Sequence, residues 1–396
     1  MHQATASIRI ALLTDGVFPI TIGGMQKHSY YLAKNLARKG IFVDLFYLPH
    51  KNSDTEATLL YDNFSPAEKK QINFIPINWP KTNKLPGHYV IENYLYSKRI
   101  FEKINNSTKP YDFIYAKGFS AWHLLHKKKK GVMLPPVGIK FHGYEMFQTS
   151  PSLYYSFQKL ILQWPVRWNN TNADWVFSYG GKITKIIKET GVAKKKIIEI
   201  PTGIDSNWLN TTLEKKSSSK ATVKFVFIGR YERRKGIQEL NACIEQLPRN
   251  EAFEFQFIGP IPISKQLESR KIIYHGTIMQ QEKIRSILQN ADVLVCPSYS
   301  EGMPNVILEA MASGCAIIAT DVGAVSEQVD ASNGILIEPG NKPELKAAIE
   351  RMIALPADQL LEMKKASIKR VEEKFLWDKV AELTIAEIKK IIENRP

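Results

Sequence analysis

The sequence predicts an α/β protein made of two doubly wound domains that face each other across a cleft. Short apolar runs alternate with amphipathic stretches in the first half, as in the βαβ units of a parallel sheet. The alternation restarts at Val223, after a polar stretch rich in Ser and Lys at 213–220. The chain has 396 residues, enough for two separate cores. We therefore place a linker at 201–222, between a first domain (1–200) and a second domain (223–370).

The predicted strands are short apolar runs bounded by turn residues. The first apolar run is followed by a loop at 15–24 and by a helix from Met25 to Arg38, which ends at Gly40. The end of the chain reads as one nearly uninterrupted helix over 364–393. Strands are predicted at 8–14, 41–47, 113–116, 137–141, 175–178 and 197–200 in the first domain, and at 223–228, 253–258, 293–295 and 316–319 in the second.

The segment 297–314 carries the strongest functional signal. It places two carboxylates, Glu301 and Glu309, at a strand–loop–helix junction. Pro304 suits the first helical position, and Gly314 follows the end of a helix predicted over 305–313. The free N–H groups and positive dipole end of such a helix favour a phosphate. A carboxylate on either side can accept hydrogen bonds from hydroxyl pairs, which suits a nucleotide-sugar. The alternative is an exposed loop Glu and a solvated helix Glu.

The segment 292–329 closely resembles the donor-binding signature of retaining glycosyltransferases of the GT-B fold, family 4 (group 1) type. The resemblance is sharp over 223–339 and loose over the first 200 residues. It implies a GT-B fold, a helix at 371–396 that crosses back to the first domain, a catalytic role for Glu301 and nucleotide binding by Glu309. Further donor-binding residues that it implies are Gly229, Gly302, Met303, Asn305, Val306 and Ile278.

Two cations follow the first strand of the second domain. Arg230 and Lys235 would lie at the carboxyl end of that strand, where they can neutralise a departing diphosphate without a metal. Their spacing resembles the family's Gly-Arg-x4-Lys-Gly pattern, which favours a catalytic role over an ordinary solvated basic turn. The chain contains no Asp-x-Asp sequence, and we expect no metal site. No separate cofactor is expected, and a UDP-sugar is favoured over a GDP-sugar as donor.

Three features of the first domain resemble the family more loosely. Gly23 and Gly24 precede the first helix, where glycines let backbone N–H groups approach a phosphate or an acceptor. His142 follows a strand and resembles the family's first-domain histidine, which implies a catalytic role, either by a hydrogen bond to the transferred sugar or by orienting the acceptor. Glu145 could contact the acceptor or stabilise its own turn. In the resembled pattern Ala324 replaces a glycine and Thr202 replaces an asparagine, which leaves the sugar choice open.

Charge is distributed unevenly along the chain. Residues 1–200 contain 28 Lys and Arg against 13 Asp and Glu, so the whole net charge of +15 lies in the first half. Nucleic acid, anionic lipid or an acidic substrate could each explain this asymmetry. No nucleic-acid motif supports the first, and none is expected as a partner. The aromatic and basic stretches 88–101 and 151–168 could face an anionic membrane or the core.

The cellular setting follows from what the sequence lacks. No apolar run approaches eighteen residues, and the start shows no signal peptide. Three cysteines without metal-ligand spacing suggest buried, reduced thiols. We expect a cytoplasmic protein, and the basic first half makes peripheral association with the inner face of the cytoplasmic membrane a second option.

The predicted function is retaining, metal-independent glycosyl transfer. A hexose or N-acetylhexosamine would move from a nucleoside-diphosphate sugar to a glycan or lipid-linked acceptor, in cell-surface polysaccharide or lipopolysaccharide synthesis. The alternatives are a nucleotide-sugar epimerase of the same fold and a non-catalytic basic protein that binds lipid or nucleic acid. The sequence leaves the sugar, the acceptor and the oligomeric state open.

Overall fold

The structure, a computed structural model, contains two parallel sheets. It describes residues 8–49, 54–82, 87–150, 153–210, 213, 222–248 and 252–394. The first sheet has seven strands in the order β3-β2-β1-β4-β5-β6-β7, and the second has six in the order β10-β9-β8-β11-β12-β13. In each sheet the order changes direction beside the strand that comes first along the chain, which is β1 in the first sheet and β8 in the second. This is the doubly wound arrangement. The GT-B fold class is therefore confirmed.

The strands of both sheets are short and pair in parallel. In the first sheet they are β1 Arg9–Leu13, β2 Phe42–Tyr47, β3 Ile72–Pro76, β4 Phe113–Lys117, β5 Val137–Lys140, β6 Trp175–Ser178 and β7 Ile197–Glu199. In the second they are β8 Val223–Ile228, β9 Phe253–Ile258, β10 Ile272–Tyr274, β11 Val293–Cys296, β12 Ala316–Thr320 and β13 Gly334–Ile337.

Helices cover both faces of each sheet. The α-helices of the described residues are α1 Gly24–Arg38, α2 Asp54–Asp62, α3 Pro66–Lys69, α4 His88–Asn105, α5 Trp122–Lys129, α6 Leu153–Asn172, α7 Gly181–Glu189, α8 Ile237–Ile244, α9 Gln281–Asn290, α10 Asn305–Ala312, α11 Val325–Gln328, α12 Lys342–Ala354, α13 Ala357–Lys374 and α14 Trp377–Glu393. Along β1, Ile10 and Leu12 enter one core while Ala11 and Leu13 enter another. Both faces of the first sheet are therefore buried, as a parallel sheet requires.

The last helix returns to the first domain. The predicted continuous helix over 364–393 is interrupted at Phe375 and Leu376, so α13 and α14 are separate helices. The ring of Trp377, the first residue of α14, stacks on Tyr31 of α1 at 5.8 Å between ring centroids. Lys39 pairs with Asp378 at 2.6 Å, which adds a charged contact to the same junction. The segment 375–377 is thus where the chain leaves the second domain.

The cysteine prediction is confirmed. Cys243, Cys296 and Cys315 are free and buried. The predicted linker stretch 213–220 lies outside the described residues except for Leu213. No helix in the described part of the chain is both long and apolar enough to cross a membrane.

Candidate active site

A cavity of about 680 Å³ lies between the two domains. Its walls come from the loops that follow the carboxyl ends of strands in both sheets, beside the points where the strand orders reverse. Such switch points are where open α/β sheets bind ligands. The predicted site residues that line this cavity are Gly23, Gly24, His142, Glu145, Gly229, Arg230, Lys235, Glu301, Gly302, Met303, Asn305, Val306 and Glu309.

Glu301 and Lys235 form a buried ion pair in the wall of the cavity. Lys235 Nζ lies 2.6 Å from Glu301 Oε1, and Arg234 Nη1 lies 3.7 Å from the same oxygen. Burial raises the pKa of Glu301, but the two cations outweigh it and hold the pKa below its usual value. Glu301 is therefore a carboxylate at neutral pH, able to accept hydrogen bonds from ligand hydroxyls.

Helix α10 begins in the cavity wall. The helix starts at Asn305, as predicted, and Pro304 is its N-cap rather than its first helical residue. No side chain caps this end, so its first N–H groups are available to a ligand oxygen. Glu309 lies one turn further along α10 and pairs with Lys27 of the first domain at 3.4 Å. The helix start and the Glu309 carboxylate thus face the same space.

The cations of the loop after β8 take different positions. The Arg230 side chain is 68% exposed at the cavity rim and pairs with Glu232 at 3.0 Å. Arg233 instead pairs with the buried Glu239 at 2.6 Å, behind the cavity wall. Arg230 is therefore free to reorient toward a bound anion, whereas Arg233 supports the fold.

The first domain contributes a histidine and a glycine loop. Nδ1 of His142 lies 2.7 Å from the hydroxyl of Tyr179, and the buried Nε2 has no partner among the described residues. Burial lowers the pKa of His142 well below its usual value, and Lys117 and Lys140 nearby lower it further. Gly24 faces Asn305 across the cleft, since a Cβ at Gly24 would lie 3.9 Å from Nδ2 of Asn305.

The loops of the two domains touch at Gly302. A Cβ at Gly302 would lie 1.7 Å from the carbonyl oxygen of His142, so only glycine fits there. Gln148 holds the same contact from the first domain: its Nε2 donates to the Glu301 carbonyl at 2.6 Å. Its Oε1 also accepts from the Glu301 N–H at 3.3 Å. This two-point contact fixes the backbone of Glu301 against the first domain.

The two departures from the family pattern are accommodated. Ala324 has φ −114, an ordinary value for alanine, and its N–H donates to the Gly302 carbonyl at 2.7 Å. Thr202 is buried, and its N–H donates to Sδ of Met303 at 3.3 Å. Both positions therefore support the loop that carries the predicted donor contacts.

One predicted donor residue lies elsewhere. Ile278 packs, partly buried, against the main core cluster and does not line the cavity, whereas Ile284 of α9 does. Ile278 was placed by resemblance alone, and it lies in the segment between β10 and α9, whereas the cavity-lining Ile284 lies on α9 itself.

Three contributors to the site were not predicted. Lys27 sits in the first turn of α1, three residues after Gly24, and that spacing was a usable signal. Gln148 and Tyr179 carry no sequence signal, because their roles depend on contacts across loops that are distant along the chain. Among the described residues, no group of three or more His, Cys, Asp or Glu side chains is placed to hold a metal ion.

Comparison with known proteins agrees with this architecture. The family described as Glycosyltransferase Family 4 matches residues 22–208, and the family described as Glycosyl transferases group 1 matches residues 222–354. The putative teichuronic acid biosynthesis glycosyltransferase TuaC of Bacillus subtilis is 39% identical over 126 residues, which is 32% of either chain. An uncharacterized glycosyltransferase of Methanocaldococcus jannaschii is 25% identical over 94% of this chain and 96% of that protein.

Solved structures extend the likeness over both domains. Sucrose-phosphate synthase from Thermosynechococcus elongatus superposes with a TM-score of 0.76 at 19% identity, covering 98% of this chain and all of that one. The chain belongs to the group 1, family 4 glycosyltransferases. It is a transferase of glycosyl groups, and the predicted family and enzyme class are confirmed.

Proposed function

We propose that the protein transfers a hexose or N-acetylhexosamine from a nucleoside-diphosphate sugar, without a metal and with retention at the anomeric carbon. One observation carries the proposal: a single cavity is lined by two carboxylates, by two cations and by an uncapped helix start. The carboxylates are Glu301 and Glu309, and the cations are Arg230 and Lys235. These groups match the parts of such a donor, namely hydroxylated rings at both ends and a diphosphate between them. A metal would duplicate the charge that Arg230 and Lys235 already supply.

The donor is proposed to lie along the start of α10. The diphosphate would accept hydrogen bonds from the first N–H groups of α10, with Lys235 and a reoriented Arg230 beside it. Glu309 would hold the ribose hydroxyls and Glu301 those of the transferred sugar. Lys27, now paired with Glu309, would exchange that carboxylate for a donor phosphate or hydroxyl.

The chemistry proposed is a front-face displacement. The bond from the anomeric carbon to the diphosphate oxygen breaks through an oxocarbenium-like state, and the acceptor oxygen bonds on the same face. The departing phosphate takes the acceptor proton, so no protein base is required. Arg230, Lys235 and the α10 dipole stabilise the diphosphate as its charge develops.

The acceptor is proposed to be a glycan or a lipid-linked glycan of a cell-surface polysaccharide. The putative role of TuaC in teichuronic acid biosynthesis supports this over the matched third of the chain. The acceptor would enter from the first-domain side, past Gly23 and Glu145. A cytoplasmic enzyme that docks on the inner face of the membrane would meet a lipid-linked acceptor there.

The first experiment is a thermal-shift series with UDP, GDP, ADP and their common sugar conjugates, in EDTA. A ligand at 100 times its dissociation constant adds about 2.7 kcal/mol to the free energy of unfolding. We expect stabilisation by one nucleotide, with a UDP-sugar first. No shift with any of them would contradict the proposed donor site.

The second experiment follows the donor that binds. Proton NMR of the released or transferred sugar reports the configuration of its first-formed anomer. Retention, in the presence of EDTA, is the expected result. An inverted first product, or activity that EDTA abolishes, would overturn the corresponding part of the proposal. Interconversion of the donor sugar without an acceptor would instead point to the epimerase alternative.

A further inference from the structure

His142, which lines the cavity, belongs to a cluster of titratable side chains. The proposed glycosyl transfer assigns no role to the other members of this cluster, which are buried. The cluster consists of His28, Lys117, Lys140, Tyr179 and His142 itself. Lys117 and Lys140 are paired in register on β4 and β5, and their side chains are 1% and 0% exposed. The hydrogen bonds of the two lysines among the described residues go to His28 and to the Ile200 carbonyl, and no carboxylate of the described residues pairs with either.

Each member of the cluster has a defined contact. Lys117 Nζ lies 2.9 Å from Nδ1 of His28, and Lys140 Nζ donates to the Ile200 carbonyl at 2.8 Å. Lys140 Nζ also lies 3.8 Å from the centre of the Tyr179 ring, on its face. The His28 ring meets the His142 ring edge-on at 5.0 Å. Lys140 thus lies over the face of the Tyr179 ring, and the Tyr179 hydroxyl is within hydrogen-bond distance of Nδ1 of His142.

The direction of the bond between Tyr179 and His142 follows from the chemistry of the two groups. A phenol hydroxyl is a good donor, and a neutral imidazole carries one proton and one lone pair on its two nitrogens. Among the described residues no other acceptor is bonded to the Tyr179 hydroxyl. Its proton therefore goes to Nδ1, and the proton of the imidazole must sit on Nε2.

Nε2 of His142 is the atom of the cluster whose surroundings indicate that a ligand binds there. It is shut off from solvent and has no hydrogen-bond partner among the described residues, although the ring lines the cavity. A buried donor left without a partner destabilises the folded protein, so an acceptor supplied by a ligand would form a favourable hydrogen bond there. A sugar oxygen in the cavity would be such an acceptor.

We propose that Tyr179 is a positioning residue for glycosyl transfer, which fixes His142 in the neutral tautomer with its proton on Nε2. His142 then donates one hydrogen bond to an oxygen of the transferred sugar. This inference rests on the proposed function for its substrate, while the tautomer itself is a property of the free protein. The groups that face His142 are Lys117, Lys140, His28 and Tyr179, and none of them is a carboxylate that would stabilise an imidazolium.

The tautomer can be read directly by two-bond proton–nitrogen NMR on protein labelled with ¹⁵N-histidine. The chain has 8 histidines, and the spectrum of His142→Gln identifies the signals of residue 142. The expected wild-type pattern is a protonated Nε2 and an unprotonated Nδ1 that accepts a hydrogen bond. Tyr179→Phe should give a mixture of the two tautomers. A proton on Nδ1 in the wild type, or an unchanged tautomer in Tyr179→Phe, would overturn the inference.

Kinetics separate positioning from a general structural effect. Loss of one hydrogen bond that orients His142 should lower kcat of Tyr179→Phe about tenfold, with the donor KM and the nucleotide Kd unchanged. Tyr30→Phe is the matched control, because its buried hydroxyl donates to the Asn63 carbonyl at 2.9 Å, away from the cavity. The control should lose a similar amount of stability and keep kcat. Equal losses of kcat in both variants would show a structural role only.

Failure of the proposed function would look different. If the wild-type protein binds no nucleotide and turns over no nucleotide-sugar, a nucleotide-sugar cannot be the ligand that accepts a hydrogen bond from His142. The NMR spectrum would still decide whether Tyr179 sets the tautomer of His142.

Discussion

At the scale of single residues, the site depends on buried charges that need their partners. Glu301 keeps its charge because Lys235 lies 2.6 Å away, despite a side chain that is only 10% exposed. Removing one partner of a buried pair leaves the other uncompensated, which costs more than the pair contributes. Turnover and stability are therefore coupled at this pair.

Lys235→Met is expected to destabilise the fold by about 3–5 kcal/mol at pH 7. The folded pKa of Glu301 lies below its usual 4.5, so the wild type keeps this contribution above pH 4.5 and loses it as the pH falls through the folded value. In the variant only Arg234 remains beside Glu301, and we expect burial to outweigh this one cation and to raise that pKa above its usual value. The stability difference between the two proteins should then shrink on acidification from pH 7 to pH 5. Urea unfolding across this range measures it.

The control for that series is Lys235→Arg, which keeps a cation in place. It should retain most of the stability at pH 7 and show the wild-type dependence on pH. A difference between Lys235→Met and the wild type that grows on acidification would contradict the pairing described for Glu301.

Glu309→Ala tests the proposed nucleotide contact. Hydrogen bonds to a charged group contribute about 1.5–3 kcal/mol, so loss of the carboxylate should weaken nucleotide binding about tenfold or more. Glu301→Ala should instead lower turnover mainly. Isothermal titration with the nucleotide that stabilises the wild type provides the measurement. Equal affinity in the wild type and Glu309→Ala would exclude Glu309 from the ribose site.

At the scale of elements, the sequence predicts the interior strands better than the edges. The strands that the sequence did not predict are β3, β10 and β13, all at the edge of a sheet. Edge strands pair on one side only, so they can be short and partly exposed, as in the three-residue β10, Ile272–Tyr274. Interior strands such as β1 are apolar on both faces and stand out.

The same limit applies to the site. Glu301, Glu309, Arg230 and Lys235 could be predicted because they lie in two short motifs, each of which directly follows a strand of the second domain. The buried Lys117 and Lys140 could not be anticipated, since lysine is almost always exposed and their burial depends on neighbours in space. Contacts between distant loops, such as that of Gln148 with Glu301, leave no local pattern either.

Gly302→Ala tests the contact between the loop before α10 and the first domain. The added Cβ would meet the His142 carbonyl, so backbone must move at a cost of about 1–3 kcal/mol. We expect a lower midpoint of thermal unfolding and weaker nucleotide binding, because the start of α10 shifts with the loop. Gly24→Ala is a matched control for stability, since the space around its Cβ is open to 3.9 Å. Equal stability of Gly302→Ala and the wild type would refute the close approach.

At the scale of the whole molecule, Trp377 ties the two domains together. It is 4% exposed, stacks on Tyr31 of α1 and lies against Gly203, whose Cβ would come within 2.6 Å of its ring. Trp377→Ala should cost about 3–5 kcal/mol through the cavity that it leaves. Since α14 is the part of the second half that packs on α1, calorimetry should show the unfolding transition broaden or split into two. A single, unshifted transition would mean that other contacts couple the domains.

The excess positive charge of the first half bears on where the enzyme works. Helices α4 and α6 have core faces, yet Ile91 of α4 and Ile161 and Trp164 of α6 are 57%, 57% and 64% exposed. Both helices also border the cavity, through Tyr89 and Leu162. Helix α5 packs on both α4 and α6 and ends in Lys127, Lys128 and Lys129. An apolar surface with these basic residues near it, beside the proposed acceptor entrance, suits an anionic membrane.

We therefore expect co-sedimentation with vesicles that contain 30% phosphatidylglycerol at low salt, and little with pure phosphatidylcholine. High salt should weaken it, because each Lys or Arg near the surface contributes about 1 kcal/mol that screening removes. The double change of Ile161 and Trp164 to Ser should reduce binding further. The control is Ile263→Ser, an 87% exposed residue of the second domain, which should bind as the wild type does. Binding that does not depend on lipid charge, and that is unchanged when Ile161 and Trp164 are replaced by Ser, would show that this surface does not contact the membrane. A lipid-linked acceptor would then have to reach the cleft by another route.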